Sequence, residues 1–190
     1  MTMANLYYVI GASGSGKDSL INYARTHINE DAEVVFTHRY ITRPVDAGGE
    51  NHVALDTKEF SSREQLRCFA MSWYSHDTHY GIGIEINQWL GKGLNVVVNG
   101  SRAYLQTAAR KYPELIPILI TVEPGILRSR LEERGREDRE QIERRLVQAR
   151  ELELSVSHPK LIRIENNKEL GEAGDHFINI IFNQKQNKCA

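Results

Sequence analysis

Gly11-Ala12-Ser13-Gly14-Ser15-Gly16-Lys17 follows directly on an apolar run, Leu6-Tyr7-Tyr8-Val9-Ile10, and no helix interior tolerates glycines at that density. The order is therefore strand, loop, helix, with the helix over Lys17 to His27 and Leu20, Ile21 and Ala24 along one face. In that setting the spacing G-x-x-x-x-G-K has a physical sense. The glycines let successive backbone N–H groups turn toward a phosphate chain, the lysine reaches its terminal phosphates, and the helix N-terminus faces the same anion. Gly11, Ala12, Ser13, Gly14, Ser15, Gly16 and Lys17 are thus candidate nucleotide-binding residues. A serine or threonine is expected next, to hold magnesium through its hydroxyl, yet position 18 is Asp and Ser19 comes one place later. A carboxylate suits a hard cation and is also favoured at a helix N-terminus, so Asp18 is a candidate both as metal ligand and as cap.

Further apolar runs at Glu33-Val34-Val35-Phe36, Val96-Val97-Val98, Ile116 to Val122 and Leu161-Ile162-Arg163-Ile164 look like buried parallel strands with helical patterns between them. Strands alternating with helices predict an α/β fold, a parallel five-stranded sheet covered on both faces. At 190 residues a single domain is expected, and 41% hydrophobic side chains suffice for a sizeable core. The 24 basic and 25 acidic residues leave no general basic face, which argues against a nucleic-acid coat and confines phosphate binding to a local site. Two cysteines, Cys68 and Cys189, give no disulfide framework and predict a reducing, cytoplasmic setting. The N-terminus shows no positively charged leader and no apolar stretch long enough for a membrane span.

Residues 38–90 interrupt the alternation: a Gly48-Gly49 turn, a helix predicted over Ser62 to Phe69, then Trp73 and an aromatic-polar stretch to Tyr80. This segment reads as an inserted lobe facing a substrate, flanked by a core of 1–37 and 91–185 and followed by a frayed tail at 186–190. Four of the seven histidines, His38, His52, His76 and His79, fall in it, without a ligand spacing that points to zinc. Asn99, Ser101 and Arg102 close the third parallel strand at its C-terminal end, where ligands gather in open α/β sheets. Residues 128–150 carry eight arginines and six acidic side chains, a pattern of helical surface ion pairs.

The loop at 11–17, Ile-Thr-Arg-Pro at 41–44, Tyr80-Gly81, and Arg-Leu-Glu-Glu-Arg-Gly at 130–135 followed by Arg144-Arg145-Leu146 together resemble the guanylate kinase-like branch of the nucleoside monophosphate kinases. The resemblance covers most of the chain. It implies a three-layer P-loop kinase in which the insert binds the phosphate acceptor and an arginine-rich lid, about 128–142, closes over ATP. The departures lie on the acceptor side. Val45-Asp46 stand where a second phosphate-binding arginine is expected, and His52 replaces a tyrosine. Arg39 takes the place of a base-reading serine, Met71 that of a glutamate, and Asn99-Gly100-Ser101-Arg102 that of an acidic pair.

Gly-Ser-Gly-Lys-Asp-Ser with Thr-Arg-Pro, Tyr-Gly-Ile-Gly and Val-Val-Val-Asn-Gly-Ser-Arg is similar to a narrower family, the ribose 1,5-bisphosphate phosphokinases of phosphonate catabolism. That similarity implies ATP and magnesium as donor and cofactor, with ribose 1,5-bisphosphate converted to 5-phosphoribosyl 1-diphosphate. Under it Lys17, Arg134, Arg139 and Arg145 serve the transferring phosphoryl group; Arg130 and Ser19 join the ATP loop. Arg39, Arg43, His52, Tyr80, Gly81, Asn99, Ser101 and Arg102 face the acceptor. Asn99 stands where an acidic residue often helps hold magnesium, so Asp18 supplies the displaced carboxylate. The partners implied are small molecules, with neither nucleic acid nor membrane, and a homodimer is compatible with the sequence. Two other functions remain open from sequence: a guanylate kinase with an unusual pocket, and a non-catalytic protein-binding module of the same fold.

Overall fold

The computed structural model describes residues 4–29, 31–44, 52–135 and 137–183. The predicted Gly48-Gly49 turn, Val45, Asp46, Arg136, the tail and Cys189 lie outside them. In chain order the elements are β1 (Leu6–Gly11), α1 (Lys17–His27), β2 (Val34–Phe36), β3 (Arg39–Ile41), β4 (Val53–Ala54), α2 (Thr57–Gln65), β5 (Phe69–Ser75), β6 (Thr78–Gly83) and α3 (Ile86–Gly91). The chain continues through β7 (Asn95–Asn99), α4 (Leu105–Lys111), β8 (Ile116–Thr121), α5 (Pro124–Arg134), α6 (Arg139–Ser155), β9 (Ile162–Glu165) and α7 (Leu170–Asn183).

Five strands pair in parallel in the order β2-β7-β1-β8-β9. Their side chains alternate between two apolar layers because successive Cβ atoms leave a strand on opposite faces. Tyr7, Val9, Val97, Ile118 and Ile164 pack beneath α1 and α7 through Leu20, Ala24, Phe177 and Ile181. Leu6, Tyr8, Ile10, Val96, Val98 and Leu119 meet Leu105, Ala108, Met71 and Ile82 on the other side. Each large apolar side chain so buried contributes about 1.5–3 kcal/mol, which is what covers the sheet on both faces.

Strands β3 to β6 build a second sheet, order β4-β3-β6-β5, antiparallel except where β3 meets β4. The helix expected over Ser62 to Phe69 is displaced: α2 starts five residues earlier, at Thr57. The Asp56 carboxylate accepts a 2.7 Å hydrogen bond from the Glu59 amide and fixes that start. Arg67 adopts φ 58° and stops the helix, and Phe69 opens β5.

α5 and α6 form a hairpin held by Leu127, Leu131 and Ile142. Between them the Asp138 side chain accepts from the Gln141 amide at 2.8 Å while the Gln141 side chain accepts from the Asp138 amide at 2.9 Å, a reciprocal cap. Arg144 pairs with Glu140 at the helical spacing of four, whereas Arg128 of α5 pairs across the hairpin with Glu143 of α6.

Candidate functional site

A cleft of about 1100 Å³ runs from the 11–17 loop to the second sheet, roofed on one side by α5 and α6. Its end at the glycine loop is set by backbone geometry. Gly14 and Gly16 take φ 89° and 80°, conformations that L side chains rarely adopt. A Cβ on Gly14 would meet Leu127 at 2.8 Å, and one on Gly16 the Asn166 amide nitrogen at 2.3 Å. The loop is thus locked between α5 and the residue after β9. Asn166, 2% exposed, donates to the Ser15 carbonyl at 2.8 Å, and its own carbonyl accepts from Arg130 at 2.9 Å. Asn166 escaped the sequence analysis; the available signal was its place at the C-terminal end of a parallel strand, beside the loop.

Gly16, not Asp18, occupies the cap position of α1, and Asp18 stands in the first turn. Its carboxylate accepts from Lys17 Nζ at 3.3 Å and from Asn99 Nδ2 at 2.8 Å, while Asn99 Oδ1 accepts from Lys17 Nζ. Burial pushes the Asp18 carboxyl up, but the charges of Lys17 and Arg39 and the hydrogen bonds from Asn99 and Lys17 outweigh it and hold it below its ordinary value. The result is an ionised carboxylate, 41% exposed, beside a lysine that is only 13% exposed.

At the end toward the second sheet Arg39, Arg43, Tyr80, Ser101 and Arg102 line the cleft. Arg39 lies over the Tyr80 ring, 5.0 Å from its centroid. The buried Tyr8 hydroxyl donates to the Ser101 carbonyl at 3.1 Å and accepts from the Ser101 amide at 2.9 Å, fixing the turn that presents Arg102. Burial lowers Arg102 from its ordinary value against the opposing effect of Glu153, and its guanidinium keeps its charge. On the roof, Arg130, Arg134 and Arg145 face the cleft, Arg145 paired with Glu137 at 2.9 Å.

Among the loop residues Gly11, Ala12, Ser13, Gly14, Gly16, Lys17, Asp18 and Ser19 line the cleft; Ser15 is buried beneath. Other residues singled out from sequence are not in its wall. His52 is buried and its Nε2 meets the Arg43 carbonyl at 3.1 Å, so it supports the segment that carries Arg43. Gly81 lies under the Phe69 ring, where a Cβ would come within 2.8 Å of it. Asn99 is 6% exposed and reaches the site through Lys17 and Asp18. Arg139 is exposed at the start of α6. Met71 is 0% exposed in the core, packed with Ile82 and Ile86.

No family model matches the chain. Curated relatives do. A ribose 1,5-bisphosphate phosphokinase PhnN of Psychromonas ingrahamii is 50% identical over 179 residues, 94% of this chain and 90% of its own length. The protein of the same name from Desulfomicrobium baculatum is 54% identical over 179 residues, 94% and 95% of the two chains. That of Thiobacillus denitrificans is 50% identical over 192 residues, 100% and 99%. Among solved structures, a guanylate kinase from Anaplasma phagocytophilum superposes with TM-score 0.72 over 98% of this chain and 88% of its own, at 14% identity, a likeness of fold.

Proposed function

Because the chain belongs to the ribose 1,5-bisphosphate phosphokinase family, we propose that it transfers the γ-phosphoryl group of ATP to ribose 1,5-bisphosphate, giving ADP and 5-phospho-α-D-ribose 1-diphosphate. It is a phosphotransferase whose acceptor is itself a phosphate. An oxygen of the acceptor's 1-phosphate attacks the γ-phosphorus while the bond to the ADP oxygen breaks. That oxygen is already anionic at neutral pH, so the protein needs no general base, only alignment and positive charge.

The observation that carries this proposal is the single cleft joining the phosphate loop to a cluster of arginines on the second sheet. Lys17 and the loop amides hold the donor phosphates, with Arg130 beside them. Arg43, Arg39, Tyr80 and Arg102 take the acceptor phosphates, for which the guanidinium fork suits better than an ammonium point charge. Arg134 and Arg145 supply charge from the roof, and Arg139 joins them on closure of a lid over about 128–142. The segment 38–90 serves as the acceptor insert and the location is cytoplasmic. The donor set fits magnesium: Asp18 is ionised and Ser19 offers an exposed hydroxyl on the same cleft, both hard oxygen ligands. When bound, magnesium neutralises phosphate oxygens and helps align them.

ADP release with magnesium ATP, measured in parallel with ribose 1,5-bisphosphate, GMP and no acceptor, tests the proposal, with the sugar product weighed by mass spectrometry. Turnover on the bisphosphate alone is expected. Turnover on GMP alone would replace it with a guanylate kinase, and silence throughout with a binding module.

A further inference from the structure

Trp73 has no part in the roles above, yet its indole lines the cleft. Strand register explains its setting. Tyr80 on β6 stands directly opposite Trp73 on β5 and opposite Ile41 on β3, so Arg39, two residues before Ile41, is its diagonal neighbour on the same face. The side chains complete a column. Tyr104 tilts against Trp73 with centroids 5.5 Å apart, Trp73 lies flat against Tyr80 at 5.6 Å and 5°, and the Arg39 guanidinium sits 5.0 Å from the Tyr80 centroid. Since β6 runs between β3 and β5, Tyr80 stands between the arginine and the indole.

We propose that Trp73 is a positioning residue for acceptor selection: it fixes the Tyr80 ring, the ring fixes Arg39 at the cleft wall near Asp18, and Arg39 reads the 1-phosphate of the bisphosphate, the phosphate that ribose 5-phosphate lacks. This rests on the kinase reading of the cleft. A free arginine loses much rotamer freedom when it grips an anion; one ordered beforehand on an aromatic face has already lost it. Ribose 5-phosphate, without the 1-phosphate, gains nothing from that ordering, so the column acts on selectivity and not on donor binding.

A double-mutant cycle in the full chain tests it, with Trp73→Ala, Arg39→Ala and the double variant. Calorimetry reads the Kd of ribose 1,5-bisphosphate, ribose 5-phosphate and ATP. Trp73→Ala is expected to weaken the bisphosphate by roughly tenfold and to leave ribose 5-phosphate and ATP within about twofold. Trp73→Phe, which keeps a flat ring, restores most of the loss. The double variant binds no worse than Arg39→Ala by more than about twofold, since residues acting as one unit are not additive. Should Trp73→Ala fail to fold, Trp73→Leu carries the same cycle with apolar bulk and no flat face. Additive losses, or equal weakening of all three ligands, would overturn the proposal while the acceptor assignment stands. Wild-type protein that ignores the bisphosphate and binds GMP would overturn both.

Discussion

Asn166 is the residue whose replacement most directly probes how the phosphate loop is held. Its side chain spans from the end of β9 to the Ser15 carbonyl, while its backbone amide donates to Thr121 and its backbone carbonyl accepts from Arg130. Asn166→Ala therefore removes one hydrogen bond and leaves the backbone contacts in place. The Ser15 carbonyl it served belongs to a residue 1% exposed, so water does not readily replace the donor. Leaving a buried acceptor unpaired costs about 1–3 kcal/mol. For a chain of this size that lowers Tm by about 2–4 °C per kcal/mol. The second consequence is functional. ATP must order a loop that was pre-ordered, and the same free energy corresponds to a roughly five- to 150-fold rise in its Kd. Calorimetry with ATP, beside a thermal melt and titration with the acceptor, separates the two effects. Unchanged ATP affinity together with a lowered Tm would refute the anchoring role and reduce Asn166 to packing. An equal loss of acceptor affinity would refute its assignment to the donor end.

Lys17→Ala should abolish turnover in the ADP-release assay; residual turnover near wild-type rate would remove Lys17 from the chemistry. Asp18 is held below its ordinary value, so its contribution to stability is present above the usual aspartate value of about 3.9 and is lost as pH falls through the lowered one. Asp18→Asn should accordingly melt earlier than wild type at pH 7, with the gap closing below about pH 4; a gap constant with pH would refute the paired carboxylate. Gly100→Ala would place a Cβ 2.3 Å from the Tyr8 ring, which is 0% exposed and has nowhere to move. A loss of about 1–3 kcal/mol is expected in denaturant melts, with weakened acceptor binding as the Ser101–Arg102 turn shifts. A neutral substitution would show that the turn relaxes freely.

The donor half of the site was legible because its signals are local. Glycines after an apolar strand dictate strand, loop and helix within a dozen or so residues, and α1 runs over Lys17–His27 as the pattern predicts. The parallel strands showed equally well, since burial on both faces demands unbroken apolar runs such as Val96-Val97-Val98. The second sheet did not. Its strands β3 and β4 have three and two residues, too short for a periodicity; they pair with each other in parallel, and β3 finds its antiparallel partner only in β6, with Arg39 opposite Ile82. The shift of α2 was avoidable: Asp56 followed three residues later by Glu59 is a helix-start signal that outweighs the apolar pattern near Phe69. Asn166, Trp73 and the column it belongs to depend on long-range register, which one sequence does not display.

That register also explains how an acceptor pocket can change while the sheet beneath it stays. Arg39, Ile82 and Met71 face one another across β3, β6 and β5, and Ile41, Tyr80 and Trp73 form the next row. All six side chains leave the same face of the sheet, since directly opposed residues share a side of the pleat. Met71, Ile82 and Ile41 are 0% exposed and tie the sheet into apolar packing; Arg39, Tyr80 and Trp73 are half-buried and look into the cleft. Within each of the two adjacent rows the labour is thus divided by depth. Placing an apolar residue at 71 strengthens the core because Ile82 and Ile86 already surround it, and placing an arginine at 39 adds charge where the cleft has open space. Backbone hydrogen bonds of the ladder are indifferent to either choice. Side chains at these pleat positions can therefore be exchanged while strand pairing, and the glycine loop on the other sheet, stay untouched.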